Sequence, residues 1–275
     1  MRSKAHNINP HYIFAMTYEQ LNTLPVWQNM PTITLDEMSA IKLMNRVDTK
    51  YVMSEEKCMQ LLERAVGEYS VQIIDDVRAC RYSTLYYDTP EWEMYTVHHN
   101  RRLQRQKIRT RTYIETDVTF IEVKNKTNTG RTKKKRIKLP EEYFYNVTAH
   151  DEALAFLKER AAYAPESISP SLTTQFTRIT LVNHAHTERL TIDLNLAFRN
   201  MREEGAEPTG IDRMVIVELK QDGLCYSPMK QILLDLRVKK FKVSKYCLGM
   251  ALSNDKIKRN RFKDKIRKIR KIINS

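Results

Sequence analysis

Charged and apolar side chains alternate along the chain from position 105 to position 139, which is the pattern of β-strands that bury one face. Ile108, Ile121 and Ile137 mark the apolar face of three successive runs, and residues 128–130 have the composition of a turn. The charged face carries Arg105, Lys107, Arg109, Arg111, Glu122, Lys124, Lys126, Lys134, Arg136 and Lys138. The pattern predicts three neighbouring strands that pool their cations on one surface.

Two interpretations of this surface compete. For any single strand, the simpler one is a solvated face of an antiparallel sheet whose other face lies on a core. Like charges directly opposite each other on neighbouring strands destabilise a sheet, so three such strands in series need a counter-charge. The series therefore favours a binding surface for a ligand with many closely spaced negative charges.

The same strand pattern recurs before and after this stretch. Further strands are predicted at 46–52, 79–88, 173–182, 188–198 and 212–221, and helices at 35–45, 55–66, 91–99, 149–161 and 228–240. The predicted helix caps are Thr34 with Glu37, Ser54, Thr148, and Ser227 before Pro228. About eight strands with one charged face can close into a barrel with a polar lumen. The expected fold is therefore α+β, an eight-stranded antiparallel β-barrel tunnel with a cationic lumen and helices packed on the outside.

The composition narrows the partners and the compartment. Lys and Arg number 47 against 33 Asp and Glu in 275 residues, so the net charge of +14 predicts polyanionic partners. These are nucleic acid, an anionic membrane surface or a phosphate-rich small molecule. The four cysteines are far apart and no signal peptide is visible, which predicts reduced thiols in the cytoplasm. No apolar run approaches the roughly 18 residues of a membrane span, and no zinc site is expected at His98 and His99.

Eight short motifs carry a family resemblance. In chain order they are RVDTKY (46–51), YYDT (86–89), KIRTR (107–111), EVK (122–124), FTR (176–178), RLTID (189–193), VELK (217–220) and KVSKY (242–246). Over residues 34–250 this ordered set resembles the VTC domain, the polyphosphate polymerase domain of the vacuolar transporter chaperone complex. That family belongs to the triphosphate tunnel metalloenzymes. The resemblance implies an eight-stranded tunnel whose basic walls bind a nucleoside triphosphate or a polyphosphate chain.

The resemblance also implies residue roles. The catalytic phosphate contacts fall on Lys50, Arg109, Arg111, Arg178 and Lys245, and further phosphate contacts on Arg46, Lys124, Arg189, Lys220, Lys242 and Ser244. Glu218 matches a carboxylate that binds a divalent ion, expected to be Mn2+ or Mg2+. Alternation along the strands adds Lys126, Lys134 and Arg136 as wall residues. Loss of Arg109 or Lys245 is expected to abolish chain synthesis without lowering the thermal stability.

One departure from the superfamily pattern bears on the activity. Hydrolytic members open with Glu-x-Glu-x-Lys, in which the glutamates hold catalytic metal, whereas this chain has Arg46 and Asp48 ahead of Lys50. The arginine form resembles the polymerase branch, so the expected reaction transfers the γ-phosphate of ATP to a growing polyphosphate chain. A triphosphatase and a non-catalytic module that binds polyphosphate or nucleotide stay open as alternatives. Nucleic acid is not an expected partner, because the strand cations lack interleaved aromatic residues for base stacking.

The last segment has a separate pattern. Phe262, Ile266, Ile269 and Ile273 recur at helical spacing among many Lys and Arg residues. One interpretation is a helix that packs on the outer wall of the barrel, and the other is a basic amphipathic helix on an anionic membrane or a membrane partner. The predicted division of the chain is an N-terminal arm (1–33), the tunnel domain (34–252) and this helix (253–275). The expected location is cytoplasmic, with a peripheral position at the inner membrane under the second interpretation.

Overall fold

The structure is a computed structural model that describes residues 15–41, 46–129, 131–223 and 226–275. The strands are β1 (Thr32–Ile33), β2 (Arg46–Ser54), β3 (Tyr69–Gln72), β4 (Ala79–Asp88), β5 (Arg105–Tyr113), β6 (Val118–Lys126), β7 (Thr132–Leu139), β8 (Ser169–Asn183), β9 (Glu188–Asn200), β10 (Thr209–Gly210) and β11 (Met214–Asp222). The α-helices are α1 (Tyr18–Asn22), α2 (Leu35–Ala40), α3 (Glu55–Ala65), α4 (Glu93–His99), α5 (Asp151–Arg160), α6 (Pro228–Asp235), α7 (Lys245–Ser253) and α8 (Asn260–Ile273). The chain is therefore an α+β protein, as predicted.

One large sheet organises the molecule. Its main path runs β2-β11-β9-β8-β4-β5-β6-β7, and every neighbouring pair along this path is antiparallel. The short strands attach at the margins, where β10 pairs with β9, β3 with β8, and β1 lies parallel to β3. The strands predicted from alternation all lie on the main path.

The reverse face of the sheet is apolar and covered by helices. Leu190, Ile192 and Val217 are buried against α3 and α6, and Ile108 and Ile121 are buried with residues of α5. Each side chain of this kind stabilises the fold by about 1.5–3 kcal/mol when it is fully buried. A shift in register by one residue would turn them all to the polar face, so this packing fixes which side chains point to the site.

The opposite face is concave and carries the charged side chains. Its curvature brings β5 near the segment that lies along β2: the Phe241 amide donates to the Lys50 carbonyl, and Lys107 of β5 donates to the hydroxyl of Ser244, three residues further on. One end of this face is apolar, and there Phe176 and Ile216 are buried in one cluster with α7 and α8. These two helices therefore cover one end of the concave face and leave the charged remainder open to a ligand.

The predicted closed barrel is not confirmed. No ladder joins β7 to β2 within the described ranges, so the sheet is strongly curved but open. The outer edge of β2 is taken by another segment: the Phe241 amide donates to the Lys50 carbonyl at 2.8 Å, and Lys240 forms a bridge with Tyr51. Exposed cations also line β7, including Lys134, so like charges face the gap. Both features oppose pairing between the two edge strands.

Most predicted helix starts are confirmed. The caps of α2, α3 and α6 are those expected, namely Thr34 with Glu37, Ser54, and Ser227. The cap predicted at Thr148 is wrong, because residues 147–149 form a 3-10 turn and Nδ1 of His150 accepts the Ala153 amide of α5. Helix α2 ends at Ala40, and positions 42–45 of the predicted helix lie outside the described residues.

The two terminal segments pack differently from the predicted division. Leu21, Trp27 and Met30 of the predicted arm are buried in the main core beside α3, so residues 17–33 are part of the packed domain. In α8, Phe262 and Ile269 are buried with the apolar end of the concave face instead of the outer wall. Among the described helices, none combines the length and apolar character needed to span a membrane.

Candidate functional site

Three carboxylates lie on the concave face, and each is bound by two cations. We call these groups the carboxylate centres. Glu122 accepts from Arg109 at 2.7 Å and Lys134 at 3.0 Å. Asp193 accepts from Arg178 at 2.6 Å and also from Lys245, and Glu218 contacts Lys50 and, at 3.6 Å, Lys220. Because Glu122 and Asp193 are at most 2 % exposed, their charges depend on these partners and not on water.

Strand register creates these centres. Arg109 lies directly opposite Glu122 across β5 and β6, and Arg178 lies opposite Asp193 across β8 and β9. Lys50 and Glu218 are opposed across β2 and β11. Lys245 comes from outside the sheet as the first residue of α7, whose start is fixed by the Ser244 cap. Cross-strand neighbours on one face lie about 5 Å apart, which is the spacing that ion pairs require.

The three carboxylates and two of their lysine partners have depressed pKa values, for different reasons. Burial alone would raise the pKa of Asp193, but Arg178 and Lys245 outweigh it and hold that pKa well below its usual range. Glu122 and Glu218 have depressed pKa values for the same reason. Burial lowers the pKa of Lys220 and Lys245 to about 8, and nearby cations add to this effect. The face thus holds these carboxylates ionised and brings Lys220 and Lys245 closer to deprotonation at neutral pH.

A second group of cations includes three that form no ion pair with a carboxylate in the described part of the chain. Lys107 and Lys124 lie directly opposite each other across β5 and β6, and Lys134 lies opposite Lys124 across β7; we call these three the lysine row. Lys107 donates to the Ser244 hydroxyl at 2.8 Å, and Arg111 donates to the Thr84 hydroxyl at 3.0 Å. Within the described residues, neither Lys107, Lys124 nor Arg111 pairs with a carboxylate. Burial, followed by Arg109, lowers the pKa of Lys124 to about 8.

Aromatic rings form a floor under the arginines. Tyr82 and Phe176 stack with their centroids 5.1 Å apart, and the guanidinium of Arg178 lies 5.0 Å and 5.2 Å from the two rings. Neither ring was predicted as part of the site, although alternation along β4 places Tyr82 on the polar face and Phe176 belongs to the FTR motif. The prediction that the strand cations lack interleaved aromatic residues is wrong. Both rings are at least nine-tenths buried, so they orient cations and leave no open surface for base stacking.

A buried tyrosine joins the same group. The hydroxyl of Tyr86 accepts from Arg109 at 3.4 Å, and its ring is only 4 % exposed. Burial would raise the pKa of Tyr86, but Arg109, Arg111 and Lys107 lower it to about 8. The depressed pKa shows how strongly positive this part of the concave face is.

The structure gathers most predicted site residues but not all. Those on the concave face around the carboxylate centres are Lys50, Arg109, Arg111, Lys124, Lys134, Arg178, Lys220, Lys245 and Glu218. Arg189 lies opposite Lys220 and donates to the Met38 carbonyl at 2.8 Å. The hydroxyl of Ser244 is already engaged by the α7 cap and by Lys107.

Four predicted residues lie at the margin of the face. Arg46 pairs with Asp48 on its own strand at 2.7 Å and is half-exposed, and Arg136 stacks on Phe120 at 4.1 Å. The Lys242 side chain is exposed, and its charge acts on Lys126 at the end of β6. These residues therefore surround the opening instead of contacting the carboxylate centres.

The metal-binding groups available near Glu218 decide whether the predicted divalent ion fits there. Within the described residues, no three His, Cys, Asp or Glu side chains lie close enough to form a metal site by themselves. Glu218 is the accessible carboxylate of the three, with 18 % of its side chain exposed. Mg2+ commonly binds through one or two carboxylates together with substrate phosphates and water. Glu218 therefore fits a metal ion that arrives with phosphate ligands. The protein would then contribute a carboxylate oxygen of Glu218 as one further ligand.

These features define the class of protein. The protein is a strongly curved antiparallel sheet whose concave face gathers basic side chains around a few carboxylates. Residues 45–254 match the model of the VTC domain, and the chain therefore belongs to the VTC domain family. No curated protein matches the sequence.

The chain is similar to solved structures, and the first of these supports the fold. A Hippeastrum protein, named for adenylyl cyclase and described as having a dominant triphosphatase activity, aligns with a TM-score of 0.50 and 12 % identity. The alignment covers 75 % of this chain and 95 % of that one. An adenylate-cyclase-named protein from Vibrio parahaemolyticus aligns with a TM-score of 0.42, 12 % identity and coverage of 74 % and 96 %. At these identities the likeness concerns the fold alone.

Proposed function

We propose that this protein is a polyphosphate polymerase that transfers the γ-phosphate of ATP to a growing polyphosphate chain on its concave face. The observation that carries the proposal is the uncompensated cation group, Lys107, Lys124 and Arg111, next to three carboxylate centres that already hold further cations in place. Like charges in this arrangement need an anion with several negative groups at close spacing. Membership of the VTC domain family supports polyphosphate or a triphosphate as that anion.

The proposed chemistry needs positioning and charge neutralisation more than covalent participation by the protein. A terminal oxygen of the acceptor chain attacks the γ-phosphorus in line, the bond to the β–γ bridging oxygen breaks, and ADP leaves with the electron pair. Arg109, Arg178 and Lys245 are the cations best placed to hold the phosphoryl oxygens, because their carboxylate partners fix their orientation before a ligand arrives. The acceptor phosphate is already ionised, so the reaction needs no general base.

The predicted metal has a defined place in this proposal. Lys50 and Lys220 can turn from Glu218 to phosphate oxygens, and the freed carboxylate would then contribute to Mn2+ or Mg2+. When bound, the ion would offset the negative charge that develops on the phosphate oxygens. The Arg46–Asp48 pair supports a polymerase over a hydrolase, because it replaces the two glutamates that hold metal in hydrolytic members.

The direct test is incubation of the purified protein with ATP and Mn2+, followed by electrophoresis for long polyphosphate and an assay for ADP. Release of orthophosphate without polymer would show a triphosphatase. Binding of tripolyphosphate without turnover, unaffected by Glu218→Gln, would show a non-catalytic module. If duplex DNA or RNA outcompetes tripolyphosphate at physiological salt, the concave face is a nucleic-acid surface and the proposal fails.

Membrane attachment through α8 is a further part of the proposal. The packing of the helix limits which of its side chains could contact a membrane. Phe262 and Ile269 are buried inside the domain, so they are not free to insert into a bilayer. The exposed side of α8 carries Lys263, Lys268 and Arg270, and attachment would rest on their attraction to anionic lipid or an acidic membrane partner. Such attachment is electrostatic and should disappear at high salt.

A further inference from the structure

A second cluster of cations lies beyond the lysine row, where β5 begins and β6 ends. Arg105 and Lys126 are directly opposite each other on these strands, one step beyond Lys107 and Lys124 on the same face. Two residues along a strand span about 7 Å, so the positive surface continues by that distance. The charge of Lys242, which lies in the segment between α6 and α7, also acts on Lys126.

Helix α8 contributes to the same place. The ammonium of Lys265 donates to the Lys242 carbonyl at 3.1 Å and is half-buried. We call Arg105, Lys126, Lys242 and Lys265 the mouth cluster. Its members come from two strands, a connecting segment and a helix, so the tertiary fold and not local sequence brings them together.

The positive charge of the mouth cluster affects the nearby His98. Burial, together with Lys107, Arg105 and other nearby cations, lowers the pKa of His98 to about 2, so its imidazole stays neutral. Its Nδ1 atom is buried and has no hydrogen-bond partner within the described structure. No member of the mouth cluster pairs with a carboxylate in the described part of the chain. The cluster thus concentrates positive charge that nothing in the described protein compensates.

We propose that the mouth cluster is a separate polyphosphate subsite that holds the chain where it passes out of the concave face. The proposal rests on the proposed function and adds to it, because it assigns a binding site to residues outside the carboxylate centres. A ligand as short as tripolyphosphate is held by the centres and the lysine row. A long chain continues over Arg105 and Lys126 and reaches Lys265 of α8. The cluster therefore sets a preference for chain length.

The test compares two ligands with two charge-matched variants. One variant combines Arg105→Gln with Lys265→Gln, and the control combines Arg261→Gln with Lys268→Gln, which removes the same charges from exposed positions of α8. Affinities for tripolyphosphate and for long-chain polyphosphate are measured by calorimetry at physiological salt. We expect the ratio of long-chain to tripolyphosphate affinity to fall about tenfold in the first variant, the effect of one lost charge-assisted contact. The control variant should keep the wild-type ratio.

Two outcomes would overturn the inference. Equal losses for the two ligands, or an equal change of ratio in the control, would show that the cluster acts only through general charge. If the double variant has a lowered melting temperature, Lys265→Gln alone should still give a smaller fall in the affinity ratio. The absence of that fall would also overturn the inference. Failure of the wild-type protein to bind either ligand would instead refute the proposed function.

Discussion

At the scale of single residues, the cations of the concave face divide into two groups with different effects on stability. Arg109, Arg178 and Lys245 are paired with buried carboxylates, whereas Lys107 and Lys124 are not. From sequence alone, loss of Arg109 or Lys245 is expected to relieve cation crowding and not to lower the thermal stability. The pairing changes this expectation for the first group, because removal of one partner leaves a buried charge of the opposite sign.

Arg109→Gln and Lys124→Gln should therefore move the melting temperature in opposite directions. Arg109→Gln leaves Glu122, which is 1 % exposed, with Lys134 as its remaining partner, and should cost about 3 kcal/mol of unfolding free energy. Lys124→Gln removes a cation that lies opposite two others, and should leave the ligand-free stability unchanged or raise it by less than about 1 kcal/mol. Both should weaken tripolyphosphate binding. Thermal and urea denaturation with calorimetry check this, and equal destabilisation by both variants would contradict it.

The depressed lysine pKa values predict opposite pH effects on binding and stability. The pKa of Lys124, Lys220 and Lys245 is about 8 in the folded protein against 10.5 ordinarily, so their charges disappear as the pH rises through 8. Tripolyphosphate affinity should then fall between pH 7 and about 9, as these ammonium groups lose their protons. Over the same range the folded state binds fewer protons than the unfolded state, so the ligand-free stability gains from these lysines as the pH rises.

A matched variant isolates the lysine effect from ionisation of the ligand itself. Lys124→Arg keeps its charge throughout this range, because an arginine does not lose its proton below about pH 12. Its tripolyphosphate affinity should fall less steeply with pH than that of the wild-type protein. Identical pH profiles for the two proteins would show that Lys124 does not titrate near pH 8.

At the scale of elements, α7 and α8 join the apolar end of the concave face to the charged site. Helix α7 supplies Lys245, and α8 packs Phe262 against Tyr95 while its Lys265 contacts the segment before α7. The helical spacing of α8 was readable from sequence, but the face that it covers was not. The apolar stripe of α8 could pack on either face of the sheet. It packs on the concave face because one end of that face is apolar, which was not recognised from the sequence.

Ile269→Ala should test whether α8 is an integral part of the domain. Ile269 is fully buried, so its truncation should cost about 2–5 kcal/mol, whereas Leu234→Ala at a 68 % exposed position should cost less than about 0.5 kcal/mol. The measurement is chemical denaturation of both variants. Flotation with anionic vesicles, using the wild type and a chain ending at Asn254, completes the test. Equal stability of the two variants together with vesicle binding of the wild type alone would show that α8 serves a membrane.

At the scale of the whole molecule, the curved sheet leaves a gap between β2 and β7. Both margins of the gap carry exposed cations: Lys134 and Arg136 on β7, and Arg46 on β2. A bound polyanion neutralises the lysine row and Lys50 together. Binding should therefore draw β7 toward the rest of the sheet.

Hydrogen exchange measures this closure. Amides of residues 132–139 should exchange more slowly after tripolyphosphate is added, while amides of 190–194 in the centre of the sheet should be protected with or without it. Sulfate at equal ionic strength is the control, because it supplies charge without a chain of phosphates. Unchanged exchange in β7 with saturating tripolyphosphate would show that the gap is a fixed feature.

Alternation along the strands was enough to predict the main sheet and most of its charged face. Arg109, Arg178 and Glu218 all lie on the predicted side, because apolar residues such as Ile108 and Ile179 fix the register. The pairing partners could not be read in the same way. Glu122 and Arg109 are adjacent only because β5 and β6 form a hairpin, and Lys245 reaches Asp193 through a helix start that no periodicity specifies.

The segment before α7 has a consequence for the order of assembly. It hydrogen-bonds β2 through Phe241, contacts β5 through Ser244, and delivers Lys245 to Asp193. During synthesis, Arg178 and Asp193 emerge long before these residues, so the sheet can form while the pocket still lacks its last cation and one end remains uncovered. Under the proposed function, the site is completed only when α7 docks, and a partly made chain would lack the finished geometry for binding a triphosphate.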